Sequence, residues 1–358
     1  MTSAVLQTRA CELFGVRYPI VQTGMGWVAG ARLTSATSAA GGLGILASAT
    51  MTYDELKKAV HEVKDRTDAP FGVNMRADQD DIDDRVALLV AEGVRVASFA
   101  QAPGRDLVAR LKDAGVVTMP TVGARRHAEK VVEWGVDAVI AQGGEGGGHT
   151  GTVPTSLLLP AVVDAVDVPV LGAGGFHDGR GLVAALAWGA AGIAMGTRFL
   201  LTRESTVPDE IKARYLATPV TGTVVTTRVD GYPQRVIRTE VIEHLEGAGR
   251  VTALPRALRN ALAFRRLTGT SIRALLREGR ALHENEGLTW SQVAMAANAP
   301  MLTRAAMVEG RADAGILPTG QNVGVIDELP TVAELVARVM AEAGETLDAL
   351  GAREEGRS

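Results

Sequence analysis

A chain of 358 residues, 46% of them hydrophobic, can bury a core large enough for one α/β barrel or for two ordinary domains. Its net charge of −4, with no arginine-lysine run in the first two hundred residues, argues against nucleic acid as a partner. The single cysteine, Cys11, excludes an internal disulfide, and no Cys and His spacing fits a structural zinc site or another metal centre. No apolar stretch reaches the length of a signal peptide or a membrane span, so a soluble cytoplasmic protein with no membrane partner is expected.

Short runs rich in Val, Ile and Leu recur at 18–22, 43–47, 71–74, 95–99, 116–121, 138–142, 168–171 and 192–195. Each is followed by a turn and a segment of helical period, the βα repeat of a parallel sheet. Eight such units within about 190 residues fit an α/β fold of the TIM (β/α)8 barrel type. A doubly wound sheet would show five or six strands and an early dinucleotide fingerprint, and that fingerprint is missing. Beyond Glu204 the rhythm stops. Residues 221–237 can pair as a hairpin, residues 254–282 are rich in helix formers, and Gly320-Gln321 leads to an amphipathic helix after Pro330. The expected division is a barrel over 1–205, a mostly helical inserted subdomain over 206–319, and a closing segment and helix over 320–350 that return to the barrel.

Loops after barrel strands form the active face, which directs attention to Gly24-Met25, Asn74, Gln142 to His149, Gly174-Gly175 and Gly196-Thr197. The run Gln142-Gly143-Gly144-Glu145-Gly146-Gly147-Gly148-His149 sets one imidazole among glycines directly after the sixth strand. So much glycine costs backbone entropy and marks a place where something approaches closely. Histidine ordinarily exchanges a proton near neutral pH, so His149 on a mobile loop is the first candidate for a catalytic base. The alternative is a histidine that caps the loop or only hydrogen-bonds a cofactor. Glu145 is ambiguous, since an acidic loop residue is usually just solvated, and Asp178 reads as the cap of the seventh barrel helix.

Gly174-Gly175 and Gly196-Thr197, at the ends of strands seven and eight, offer backbone N–H groups and a hydroxyl where barrels commonly bind phosphate. A flavin mononucleotide phosphate would fit; plain tight turns are the alternative. From Arg228 to Arg280 there are eleven arginines against five carboxylates. Arg228, Arg256 and Arg259 among them read either as a surface for the phosphates of a coenzyme A thioester or as a solvated helical face.

As a set, the 142–149 run, Gly172-Ala173-Gly174-Gly175-Phe176-His177-Asp178-Gly179-Arg180, Gly196-Thr197-Arg198-Phe199 and Gly320-Gln321 resemble the FMN-dependent nitronate monooxygenase family. That family, formerly called 2-nitropropane dioxygenases, includes the FMN-type enoyl-acyl-carrier-protein reductases. The resemblance implies a barrel holding FMN at its C-terminal face, with Gly24 and Met25 near the flavin ring and Asn74 and Gln142 on its polar atoms. By the same resemblance Gly174, Gly175, Gly196 and Thr197 hold the phosphate, Gly147, Gly148 and Gln321 also bind the cofactor, and His149 is the base or proton donor beside N5. The family often carries Ala where this chain has Gly146, and Ala-Pro before the Met where this chain has Thr23-Gly24.

The insert, its arginines and the overall length look like an actinobacterial branch associated with degradation of cholesterol and other steroids, working on CoA thioesters of the last rings. That narrower resemblance implies α,β-dehydrogenation or its reverse, with His149 taking the Cα proton and the β-hydride passing to the flavin. NAD(H) or NADP(H) would be the electron partner, and a homodimer is left open. Nitronate oxidation with O2 is one alternative, and a non-catalytic barrel that binds a phosphorylated ligand is another.

Overall fold

The computed structural model describes residues 4–247 and 299–355. Strands β1 (Ile20–Gln22), β2 (Leu43–Ala47), β3 (Phe71–Met75), β4 (Val96–Phe99), β5 (Val117–Val122) and β6 (Val139–Gln142) pair in parallel, each with the next. The chain then forms the two-residue strand β7 (Gly148–His149) outside the barrel, and β8 (Val170–Ala173) and β9 (Gly192–Met195) close the cylinder against β1. All eight apolar runs therefore become barrel strands. The seventh starts at Val170 rather than 168, because Pro169 has no N–H for the ladder, and it continues through Gly172.

Alternation along the strands sorts the apolar side chains. Val21, Leu43, Ile45, Val96, Met119 and Leu171 fill the interior, and Ala10 and Phe14 of the helix Arg9–Phe14 plug its lower end. Burying a phenylalanine of this kind contributes roughly 2–3 kcal/mol. Ile20, Val139, Val170 and Ile193 point outward into the helix layer with Leu158, Leu182 and Leu335. The C-terminal helix Val332–Glu355 packs across the helices Gly179–Ala187 and Ala31–Ala39. Thr331, Glu334 and Glu204 hold its start through side-chain hydrogen bonds to backbone N–H groups.

β10 (Thr223–Thr226) and β11 (Gln234–Ile237) form the antiparallel hairpin expected over 221–237. β7 joins the other edge of β11, with Gln234 opposite His149 and Arg235 opposite Gly148. His149 thus sits on a paired ribbon rather than on the mobile loop expected from its glycines. Helices Asp209–Leu216, Glu240–Gly247 and Ala299–Met307 accompany this hairpin. The helix-former run at 254–282, with Arg256 and Arg259, lies outside the described residues. No helix among the described residues is long and apolar enough to cross a membrane.

Candidate active site

The loop after β1 rests on the end of β3. A Cβ on Gly24 would lie 2.4 Å from Asn74 Cβ, so only glycine lets these two segments meet. Asn74 in turn donates through Nδ2 to Ser98 Oγ at 3.3 Å, tying β3 to β4. Met25 Sδ lies 3.5 Å from where a Cβ on Gly196 would stand, which brings the first and eighth loops side by side. Two residues on, Trp27 has a φ of 65°, a conformation that bulky L residues rarely adopt. Its indole N–H donates to Pro300 O at 3.2 Å, and the Arg304 guanidinium stands 5.8 Å from the ring centre. The first loop is thereby pinned to the helix Ala299–Met307, through a residue that sequence pattern does not mark.

The two turns expected to bind phosphate lie on this face. Gly174 and Gly175 have φ values of 100° and 85°, the left-handed region that glycine alone enters without strain. Gly196 stands at the N-cap of the short helix Thr197–Leu200, which no side chain caps. Thr197 Oγ1 accepts the Gly320 N–H at 2.8 Å, leaving its hydroxyl hydrogen to donate. Gln321 N–H donates to Glu145 O at 2.9 Å, so the loops after β6 and β9 meet the 320–321 segment. Arg198 turns away from this cradle and donates to Leu201 O and Glu328 O. Burial pulls its pKa down to about 10, against the opposing pull of Glu328.

Asp178 caps the helix Gly179–Ala187, as expected, by accepting the Gly181 N–H at 2.8 Å. Burial by itself would raise the pKa of this carboxyl, but the Gly181 amide, Arg180 and His177 outweigh it and the net shift is downward. A folded-state pKa below the unfolded value contributes stability above the ordinary carboxylate range, and that stability is lost as pH falls through the folded value. Asp178→Ala is therefore expected to cost about 1 kcal/mol at neutral pH. Urea midpoints of the two proteins should begin to draw together as pH falls below about 4 and meet only below the lowered folded-state value.

The glycine run is folded onto the barrel by its own polar groups. Gly143 N–H donates to Ala173 O at 2.9 Å, and Gln142 Nε2 donates to His149 O at 2.7 Å across the loop. A side chain at 146 would collide with Gln142, 2.7 Å from its Nε2, which accounts for glycine at this position. Glu145 is not a solvated carboxylate: its Oε2 accepts from Thr155 N at 2.9 Å and Thr155 Oγ1 at 2.7 Å, clasping the start of the helix Thr155–Val163. Arg235 reaches under the loop to donate to Gly144 O at 2.9 Å and to Thr223 Oγ1 at 3.0 Å. Burial lowers its pKa, and Glu145 opposes that shift.

At the end of the loop, the His149 side chain is 64% exposed at the barrel mouth. Its Nε2 lies 2.7 Å from Asp230 Oδ2 and 3.2 Å from Gln234 Nε2. The Tyr232 ring stands edge-on to the imidazole, at a centroid distance of 5.9 Å. Arg228 is exposed in the same β10–β11 turn, with its N–H on Thr226 Oγ1. Asp230, Tyr232, Gln234 and Arg235 escaped sequence reasoning. They lie more than eighty residues beyond His149, and no period in a two-residue strand foretells its pairing.

Gly24, Met25, Asn74, Gln142, Gly174, Gly175, Gly196, Thr197 and Gln321 thus come to one face, where His149 is displayed. A closed parallel barrel with amides, left-handed glycines and an imidazole gathered at its C-terminal mouth is the architecture of a barrel enzyme. The sequence model of the nitronate monooxygenase family matches residues 7–87 and 80–342, and the chain belongs to that family of oxidoreductases.

The chain is 59% identical over 341 residues to a Mycobacterium tuberculosis protein named (3aS,4S,5R,7aS)-5-hydroxy-7a-methyl-1-oxo-octahydro-1H-indene-4-carboxyl-CoA dehydrogenase, covering 94% of this chain and 96% of that one. A Rhodococcus jostii protein of the same name is 57% identical over 349 residues, covering 98% and 99%. Among solved structures, FabK from Thermotoga maritima matches with a TM-score of 0.78 at 34% identity, covering 97% of this chain and 99% of that one.

Proposed function

We propose that this chain is an FMN-dependent dehydrogenase of a ring-bearing acyl-CoA in steroid-ring catabolism, with His149 as the base. The observation that carries the reading is the exposed imidazole at the mouth, on the same face as the uncapped helix start at Gly196-Thr197 and the left-handed pair Gly174-Gly175. The names of the two close relatives support the substrate class, a thioester on a fused bicyclic ring ketone.

The residues present fit a flavin. Backbone N–H groups at the uncapped helix start, the Thr197 hydroxyl and the Gly174-Gly175 turn suit a phosphate. In this reading Gly24, Met25, Asn74 and Gln142 hold the ring, and Gly147, Gly148 and Gln321 complete the cradle. When bound, FMN supplies the two-electron acceptor that takes the β-hydrogen with its bonding pair.

The remaining work falls to the protein. A thioester carbonyl acidifies the hydrogen on Cα, and His149 accepts that proton while its bonding pair stays on the substrate and becomes the new double bond. Arg228, and Arg256 and Arg259 in the inserted segment, are assigned to the CoA phosphates. In this reading NAD(H) or NADP(H) would be the electron partner, and the reaction would run in the cytoplasm.

Purified protein should be yellow, and anaerobic mixing with a ring-bearing acyl-CoA should bleach the flavin and yield an enoyl thioester. Deuterium on Cα should slow the bleaching. A flavin that ignores every CoA thioester but reacts with propionate 3-nitronate and consumes oxygen would install nitronate oxidation instead.

A further inference from the structure

Asp230 lies in the β10–β11 turn with its side chain only 7% exposed. Both of its oxygens accept hydrogen bonds. Oδ1 accepts the Tyr232 N–H at 3.1 Å. Oδ2 accepts the side-chain amide of Gln234 and meets His149 Nε2 at 2.7 Å.

A carboxylate can only accept, and Gln234 Nε2, 3.2 Å from the same ring nitrogen, gives its hydrogen to Asp230 Oδ2, so the hydrogen between His149 and Asp230 belongs to the imidazole and sits on Nε2. A neutral imidazole protonated at Nε2 carries its lone pair on Nδ1. We propose that Asp230 is a positioning residue that fixes His149 in the Nε2–H tautomer, so that Nδ1 is the atom that takes the substrate proton. The same contact then holds the imidazolium that results. This inference rests on the reading of His149 as the base.

The setting restrains the ring from several sides. The β7–β11 pairing puts Gln234 directly opposite His149, Tyr232 stands edge-on to the imidazole, and Gln142 holds the His149 carbonyl. The other charged groups nearby are placed differently. Arg228 is exposed in the turn, and Arg235 and Glu145 lie under the glycine loop, bonded to Gly144 O and Thr155. Among the described residues, Asp230 is the carboxylate in contact with the imidazole.

Asp230→Asn tests the assignment, because an amide of the same shape can offer an N–H to Nε2 and so favour the opposite tautomer. In 15N spectra of histidine-labelled holoenzyme, wild type should show His149 protonated at Nε2 and bare at Nδ1, and the variant should lose that preference. Turnover of the acyl-CoA should fall roughly 10²–10⁴-fold with KM changed only a few-fold. Asp230→Glu should restore part of it.

Wild-type spectra showing the Nδ1–H tautomer would overturn the proposal, as would an Asp230→Asn enzyme with wild-type turnover. If Asp230→Asn does not fold, the wild-type tautomer and Asp230→Glu decide. Full turnover in His149→Ala would sink the base reading itself, whereas an inactive His149→Ala beside an unaffected Asp230→Asn would sink only the role of Asp230.

Discussion

His149→Ala should lower acyl-CoA oxidation by about 10²–10⁴-fold, the usual contribution of a positioned base, while the protein stays folded and yellow. The imidazole is 64% exposed and its ring contact is the edge of Tyr232, so truncation removes little packing. Asp230, left without the histidine, still accepts from Tyr232 N–H and the Gln234 amide, which limits the cost of stranding a buried carboxylate. Backbone geometry at 149 is set by pairing with Gln234 and by the Gln142 bond to its carbonyl, and neither needs the side chain.

Two measurements separate chemistry from binding. Affinity for the acyl-CoA, read from the perturbed flavin spectrum, should change only a few-fold. Exchange of the Cα hydrogen with deuterated water should fall with turnover. An enzyme that turns over at the wild-type rate without the imidazole would mean that a group other than His149 takes the proton at this mouth.

How far the sequence reveals this arrangement depends on the range of the interactions. The barrel was legible because strands buried on both faces read as continuous Val, Ile and Leu runs, and because each was followed by helical period. Gly174-Gly175, Gly196-Thr197 and the 142–149 run were legible because glycine records a local backbone demand in one letter. The state of His149 was not. Its glycines suggest mobility, but the ribbon that holds it forms only when β7 finds β11, and the partner Asp230 comes from the turn of that hairpin. The role of Glu145 stays open in the sequence for a similar reason, since it depends on Thr155, ten residues on and across a turn. Trp27 shows the same limit, because a left-handed φ at a non-glycine residue is a tertiary outcome.

Gly147→Ala should release the flavin. A Cβ there would lie 2.5 Å from Gly320 N and from Thr319 C, backbone atoms that cannot swing aside like the end of a side chain. Either the glycine loop or the 319–321 segment must move. Moving the latter strains the Gly320 bond to Thr197 Oγ1 and the Gln321 bond to Glu145 O, the links that bring the loops after β6 and β9 together. Overpacking of this kind typically costs 1–3 kcal/mol, and each 1.4 kcal/mol is tenfold in affinity. The Kd for FMN should therefore rise about 10–100-fold, with a lower Tm for the holoenzyme. Gly344→Ala, in the C-terminal helix, is the control: its Cβ meets nothing within 4 Å and its φ is not left-handed, so flavin retention should be unchanged. Fluorescence of flavin released during ultrafiltration reads both variants. Wild-type retention in Gly147→Ala would mean that the 319–321 segment yields without disturbing the cradle, and that Gln321 and Thr197 do not hold the cofactor through this contact.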